Sequence, residues 1–217
     1  MAVQAATAAA SIDPVGHKVA KSPDGKAVIG RLLPLAIDAG TELPVPLAWR
    51  KGARMEVEIA VRLATALPPR ARGYTRDEVI ASVGSVHLGI EILDSRLQEG
   101  GKAPFLLFLA DRLGNAGYVL GPEVPKTMLD TVAGLQLEVW LDETLIHTGS
   151  ARHPADDVLG WLLEFAADAT RPPETLAAGE IITTGSLCGA LDVGEHGLLR
   201  ARLNGTGEVR ALLEAGT

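Results

Sequence analysis

Hydrophobic and polar residues alternate most regularly from Arg54 to Leu63. In a strand, Met55, Val57, Ile59 and Val61 share one face, and Glu56, Glu58 and Ala60 share the other. A second alternation covers Leu88 to Asp94, with Leu88, Ile90 and Ile92 on one face and Glu91 and Leu93 on the other. Gln136 to His147 predicts a hairpin turning at Asp142-Glu143. Leu198–Leu203 and Glu208–Leu213 flank Asn204-Gly-Thr-Gly207, a second hairpin signal. Glu180 to Ser186 reads as a strand entering a Gly/Ser turn, and Ser22-Pro-Asp-Gly25 as a turn. The period changes at Thr75-Arg-Asp-Glu78, a capping box that opens a helix with Val79, Ile80, Val83 and Val86 on one side. Pro154 is expected to begin another helix, with Asp156 and Asp157 in its first turn and Val158, Trp161, Leu162 and Phe165 on its apolar face. Phe105 to Ala110 reads as a short buried run, Asp111 to Gly121 as a glycine-containing loop, and residues 38 to 54 as loop with short extended pieces. Residues 1–14 predict a short helix or loose arm, which leaves 15–217 as a single domain. Many short strands, several hairpins and few helices make that domain a β-rich α+β fold.

Composition narrows the function. The chain has 217 residues, 47% hydrophobic and 22% charged, as expected of one globular domain with a large core. Aromatics are only 4%, so the core must be aliphatic. The net charge is -7 and no basic stripe is present, which makes nucleic acid and anionic membrane poor partners. Cys188 is the only cysteine, so an intrachain disulfide and a cysteine-based zinc site are both excluded. No apolar run has membrane-spanning length, and the Ala-rich start does not read as a signal peptide; a cytoplasmic location is expected.

The acids on the two alternating segments are the candidate chemistry. Glu56 and Glu58, two residues apart on one face, sit roughly 7 Å apart. Two such charges repel by roughly 2 kcal/mol at an effective dielectric of about 20. If Glu91 joins them, a divalent cation reverses the sign, and hard oxygen ligands suit Mg²⁺ or Mn²⁺. Glutamates at alternate positions also describe the solvent face of a half-exposed strand, and spacing leaves both readings open.

Several segments, taken in order, resemble the fumarylacetoacetate hydrolase superfamily. They are Gly16-His-Lys-Val19, Glu56-Val-Glu-Ile-Ala60, Gly89-Ile-Glu-Ile-Leu-Asp-Ser-Arg96, Asn115-Ala-Gly-Tyr-Val-Leu-Gly121, Gly149-Ser-Ala-Arg-His-Pro154 with the Trp161 helix, and Ala178-Gly-Glu-Ile-Ile-Thr-Thr-Gly-Ser186. They cover most of residues 15 to 213, and the nearest branch is that of the 2-oxo-4-pentenoate hydratases and 4-oxalocrotonate decarboxylases. The resemblance implies a β-rich mixed sheet roll of the family's C-terminal type, with a few helices packed outside. It implies that Glu56, Glu58 and Glu91 hold Mg²⁺ or Mn²⁺, which acts as a Lewis acid on a 2-oxo acid and stabilises an enolate.

On the same resemblance Lys18 is the proton-transfer or charge-stabilising group, with a pKa lowered by desolvation near the metal. Ser150, Thr184 and Ser186 are candidate donors to the substrate carboxylate. Arg96 is expected either to brace Glu91 or to serve Asp94, and His153 suits capping or packing. The implied activity is a metal-dependent hydratase of short 2-hydroxy-2,4-dienoates or 2-oxo-enoates. A decarboxylase, another oxo-acid C–C hydrolase, or a non-catalytic partner subunit remain open alternatives. The expected partners are a small 2-oxo acid, further copies of the chain in a homo-oligomer, and a homologous decarboxylase or hydratase. Three departures accompany the likeness: few residues precede Lys18, Asp111-Arg112 stands where the family often has Asp-Asn, and Trp49–Arg54 is unusually basic.

Overall fold

The alternating segments build two mixed β-sheets in a computed structural model that describes residues 16–38, 40–41 and 43–215. The arm expected at 1–14 lies outside the described residues. The strands are β1 (Gly16–Lys21), β2 (Ala27–Arg31), β3 (Leu35–Ile37), β4 (Val45–Trp49), β5 (Arg54–Leu63), β6 (Val83–Leu93), β7 (Asn115–Val124), β8 (Gln136–Leu141), β9 (Thr144–Ser150), β10 (Ile181–Ser186), β11 (Leu191–Asp192), β12 (Gly197–Leu203) and β13 (Glu208–Ala215). Among the described residues three short α-helices accompany them: α1 (Arg76–Ser82), α2 (Phe105–Ala110) and α3 (Gly160–Ala167). The larger sheet runs β2-β1-β10-β5-β6-β7-β3, with β11 paired to β5, and the smaller runs β4-β13-β12-β8-β9.

The aliphatic faces of the two sheets meet. Val57, Ile59, Leu88 and Ile90 from the larger sheet share one core with Leu137, Val139, Leu199 and Val209 from the smaller. Each such side chain contributes roughly 1.5–3 kcal/mol on full burial. The sheets approach closely at Gly121, where a Cβ would lie 2.5 Å from the Cβ of Val209. The opposite face of the larger sheet is also covered. Ala60, Tyr118, Leu120 and Ile181 form a second apolar cluster there, and Glu58 and Glu91 on that face are 1% and 0% exposed. A half-exposed strand with glutamates in solvent is thereby excluded.

The predicted hairpins form, with Asp142 at φ 50° in the first turn and Asn204 at φ 48° in the second. Four expectations are corrected. The capping box forms, but α1 stops at Ser82; Val83 and Val86 belong to β6, where β-branched residues pair with β5. Phe105 to Ala110 is a helix with no buried residue, and Leu106 is 77% exposed, because the run borders an open cleft that Phe105 and Phe108 line. Asn115 to Gly121 is strand, not loop: its glycines permit close approach between sheets instead of breaking the ladder. The helix expected at Pro154 begins only at Gly160. Asp156 takes φ 57°, and the Asp157 carboxylate accepts from Leu159 N at 3.0 Å, so both acids shape the preceding turn. None of the described helices is long and apolar enough to cross a membrane.

Candidate metal centre

Strand register brings the acids together. Glu56 on β5 pairs directly with Glu91 on β6, and Glu91 in turn faces Tyr118 on β7. On the other side of β5, Ala60 pairs with Thr183 on β10, and Thr183 pairs with Lys18 on β1. Alternation puts Lys18, Thr183, Ala60, Glu58, Glu56, Glu91 and Tyr118 on one face. Gly89, opposite Glu58, leaves room for the tyrosine: a Cβ there would lie 2.0 Å from the Tyr118 hydroxyl.

Carboxylate oxygens of Glu56, Glu58 and Glu91 all lie within 4.8 Å of one another. Each acid has its own support. The Lys18 ammonium donates to both Glu91 oxygens at 2.8 Å and stands 4.0 Å from Glu56 Oε2. Asn115 Nδ2 donates to Glu91 Oε1 at 3.0 Å, and its own Oδ1 accepts from Leu33 N at 2.8 Å. The Thr183 hydroxyl donates to Glu58 Oε2 in a short contact, and the Tyr118 hydroxyl donates to Thr183 Oγ1 at 3.3 Å. Arg96 reaches the cluster only indirectly, through Asp111 and the Asn115 carbonyl, whose contact with Nη1 is 2.5 Å.

Three carboxylates against one ammonium leave an excess of negative charge in a buried place. Burial, then the charges of Glu91 and Glu56, push the Glu58 carboxyl well above its usual range. Burial also raises Glu56, against the pull of Lys18. For Lys18, burial is the largest influence and lowers the pKa, but Glu91, Glu56 and Glu58 together outweigh it and leave it raised. Among these carboxylates, with no cation between them, Lys18 is held as an ammonium; the lowering expected beside a bound metal concerns the loaded site. The donor set consists of hard oxygens, converges to within one ion's reach and opens on one side, which fits a divalent cation such as Mg²⁺ or Mn²⁺.

The open side is a cleft of about 610 Å³ whose floor includes Lys18, Glu56 and Glu58 and whose walls include Phe105, Phe108 and Trp161. Of the expected carboxylate donors, Ser186 lines it, but its hydroxyl donates to Gly189 O at 3.0 Å. Thr184 points to the opposite face of β10 and donates to Ile59 O at 2.9 Å. Ser150 ends β9 in the smaller sheet, is exposed, and does not line the cleft. His153 caps and packs: Nε2 donates to Thr184 O at 2.8 Å and Nδ1 accepts from Ala155 N at 3.2 Å. Burial raises the Cys188 thiol, which opposes a nucleophilic role. Sequence reasoning missed Thr183, Asn115 and Tyr118. Period-two counting from Glu180 separates Thr183 from Thr184, but choosing the acid-facing one needs the pairing with Ala60.

Comparison with known proteins places the chain in a family. A family model described as "Fumarylacetoacetate (FAA) hydrolase C-terminal" matches residues 17–214. A 2-keto-4-pentenoate hydratase of Paraburkholderia phymatum is 28% identical over 173 residues, covering 79% of this chain and 64% of the relative. One from Burkholderia vietnamiensis is 27% identical over 169 residues, covering 77% and 63%. The chain thus spans a little under two thirds of these relatives' length. Among solved structures, the 4-oxalocrotonate decarboxylase of Pseudomonas putida, complexed with magnesium and adipate, superposes with a TM-score of 0.73 at 18% identity, over 98% of this chain and 82% of that one. The fumarylpyruvate hydrolase of Pseudomonas aeruginosa, in complex with Mn²⁺ and pyruvate, gives 0.60 at 12% identity, over 94% and 90%. These two likenesses concern the fold. With nearly its whole length matched by the family model, this chain belongs to the fumarylacetoacetate hydrolase C-terminal family.

Proposed function

We propose that the protein is a metal-dependent hydro-lyase acting on a short 2-hydroxy-2,4-dienoate or 2-oxo-enoate such as 2-oxo-4-pentenoate. The observation that carries this is the convergence of Glu56, Glu58 and Glu91 within 4.8 Å at the floor of an open cleft. The names of the curated hydratases support the substrate class. The three glutamates would hold Mg²⁺ or Mn²⁺, which when bound supplies Lewis-acid polarisation of a 2-oxo group. Lys18 would fix Glu91 through its two 2.8 Å contacts and keep a proton at Nζ beside the reacting end of the substrate. Phe105, Phe108 and Trp161 would exclude bulk water and orient the diene.

Turnover of 2-hydroxypenta-2,4-dienoate, followed with Mg²⁺, with Mn²⁺ and after chelation, tests this. Metal-dependent formation of a hydroxylated 2-oxo acid is expected, with most activity lost in Glu58→Gln. Equal rates with and without metal, or wild-type rates in that variant, would refute it. Decarboxylation of a vinylogous 2-oxo diacid is the second reading, favoured by Arg152 on the wall of the cleft, a cation available to a second carboxylate. Released CO₂ distinguishes it from hydration.

A further inference from the structure

Ser85 and His87 stand two residues apart on β6, so both side chains lie on the face that carries Glu91. They are far from the metal centre. Ser85 is six residues from Glu91, roughly 20 Å along the strand, and neither residue lines the cleft. Both are partly exposed. His87 Nδ1 lies 3.0 Å from the Gly121 carbonyl oxygen, and Nε2 lies 2.8 Å from Ser85 Oγ. A carbonyl oxygen only accepts, so Nδ1 carries the proton of the neutral ring and Nε2 offers its lone pair. The Ser85 hydroxyl therefore donates to Nε2, which is the arrangement a base makes with the nucleophile it activates.

Strand pairing explains why the ring is held this way. Between the pairing of His87 with Glu123 and that of Gly89 with Leu120, β7 has one residue more than β6. The bulge contains Gly121 and Pro122, and proline brings no N–H to the ladder. The Gly121 carbonyl turns to accept from the imidazole instead. It is fixed there, because Gly121 is packed so tightly that a Cβ would lie 2.7 Å from the Leu88 carbonyl oxygen. The carbonyl thus sets the tautomer and orientation of His87, the part that a carboxylate plays in a Ser-His-Asp triad. Among the described residues no other serine hydroxyl meets a histidine. Those of Ser22 and Ser95 donate to carboxylates, and those of Ser82 and Ser186 to backbone carbonyls.

The geometry points to Ser85 as a nucleophile activated by His87, a site that takes the acyl group of an activated carboxylic ester. In that step the bond from Ser85 Oγ to the acyl carbon forms and the bond from that carbon to the ester oxygen breaks. The hydroxyl proton passes to His87 Nε2 and from there to the departing oxygen, and nothing is oxidised or reduced. The site uses none of the residues of the metal-centred function and stands whether or not that function does.

Mass-spectrometric peptide mapping of the full chain treated with p-nitrophenyl acetate tests it. Ser150, exposed and without a histidine at its hydroxyl, is the internal control. A positioned base is worth about 10²–10⁴ in rate, so acetyl is expected on Ser85 roughly 100-fold faster than on Ser150. His87→Gln keeps an amide that can donate to Gly121 but supplies no base, and should bring Ser85 down to the Ser150 rate while the melting transition stays cooperative. His87→Asn serves the same purpose if the glutamine variant does not fold. Equal acetylation of the two serines in wild type overturns the proposal without recourse to any variant. A preference for Ser85 that survives in a folded His87 variant also overturns it, because exposure and not the imidazole would then be its cause.

Discussion

Thr183 and Thr184 are adjacent, chemically identical and differently employed. The Thr183 hydroxyl supports Glu58, while the Thr184 hydroxyl satisfies the Ile59 carbonyl. Thr183→Val is expected to lower metal affinity roughly 10- to 100-fold, as loss of a ligand's supporting partner does. Thr184→Val should cost about 1–3 kcal/mol of stability, through a buried carbonyl left without its donor, and leave metal affinity near wild type. Metal titration and denaturant unfolding of the pair check both. Gly89 is as restrictive. An added methyl would strike the Tyr118 ring and hydroxyl, so Gly89→Ala should destabilise by about 1–3 kcal/mol or more, with part of the loss recovered in a Tyr118→Leu background. The acids were legible in the sequence because alternation places them on one face whatever the neighbours are. Thr183 and Tyr118 were not, because their positions depend on which strands pair.

The same division holds among the elements. The strand at Arg54–Leu63 and the hairpin around Asn204 carry their own signals, strict alternation in one and turn chemistry in the other, and they formed as expected. Phe105 to Ala110 is apolar throughout, so periodicity had nothing to report, and only its placement over the cleft leaves it exposed. Asn115 to Gly121 looked like a loop because its glycines were read as breakers; in place they admit Leu47 beside Gly117 and Val209 beside Gly121. The capping box of α1 was local, hence readable, and it makes a pH prediction. The Thr75 backbone N–H, then the Arg70 guanidinium, hold the Glu78 carboxyl down at about 2, from an ordinary 4.5. A depressed folded-state pKa contributes stability above about 4.5 that is lost as pH falls towards about 2. Glu78→Gln should therefore show a shallower fall in Tm across that window than wild type, and converge with it at the acid end. Parallel curves would show that the box does not couple to protonation.

At the scale of the whole molecule the acid cluster sets a cost that the fold carries throughout. Glu58 and Glu91 are 1% and 0% exposed, Glu56 half-buried, and Lys18 offsets only one of the three charges. Nothing in β5, β6 and β10 can relax to separate them, since each strand is paired on both sides and its opposite face is locked in the shared core. An ion that binds the folded state alone adds RT ln(1 + [L]/Kd), about 2.7 kcal/mol at a concentration 100 times Kd. For a domain of this length, each kcal/mol moves Tm by about 2–4 °C. Mn²⁺ or Mg²⁺ at saturating concentration is thus expected to raise Tm by roughly 5–10 °C over chelated protein. Glu58→Gln separates the two contributions. With one charge removed, its chelated form should melt no lower than chelated wild type, whereas its response to metal should shrink by more than half. A variant that keeps the full shift would mean the ion is held elsewhere. A wild type indifferent to both metals would mean that these buried carboxylates share protons in place of a cation, and that their convergence serves packing alone.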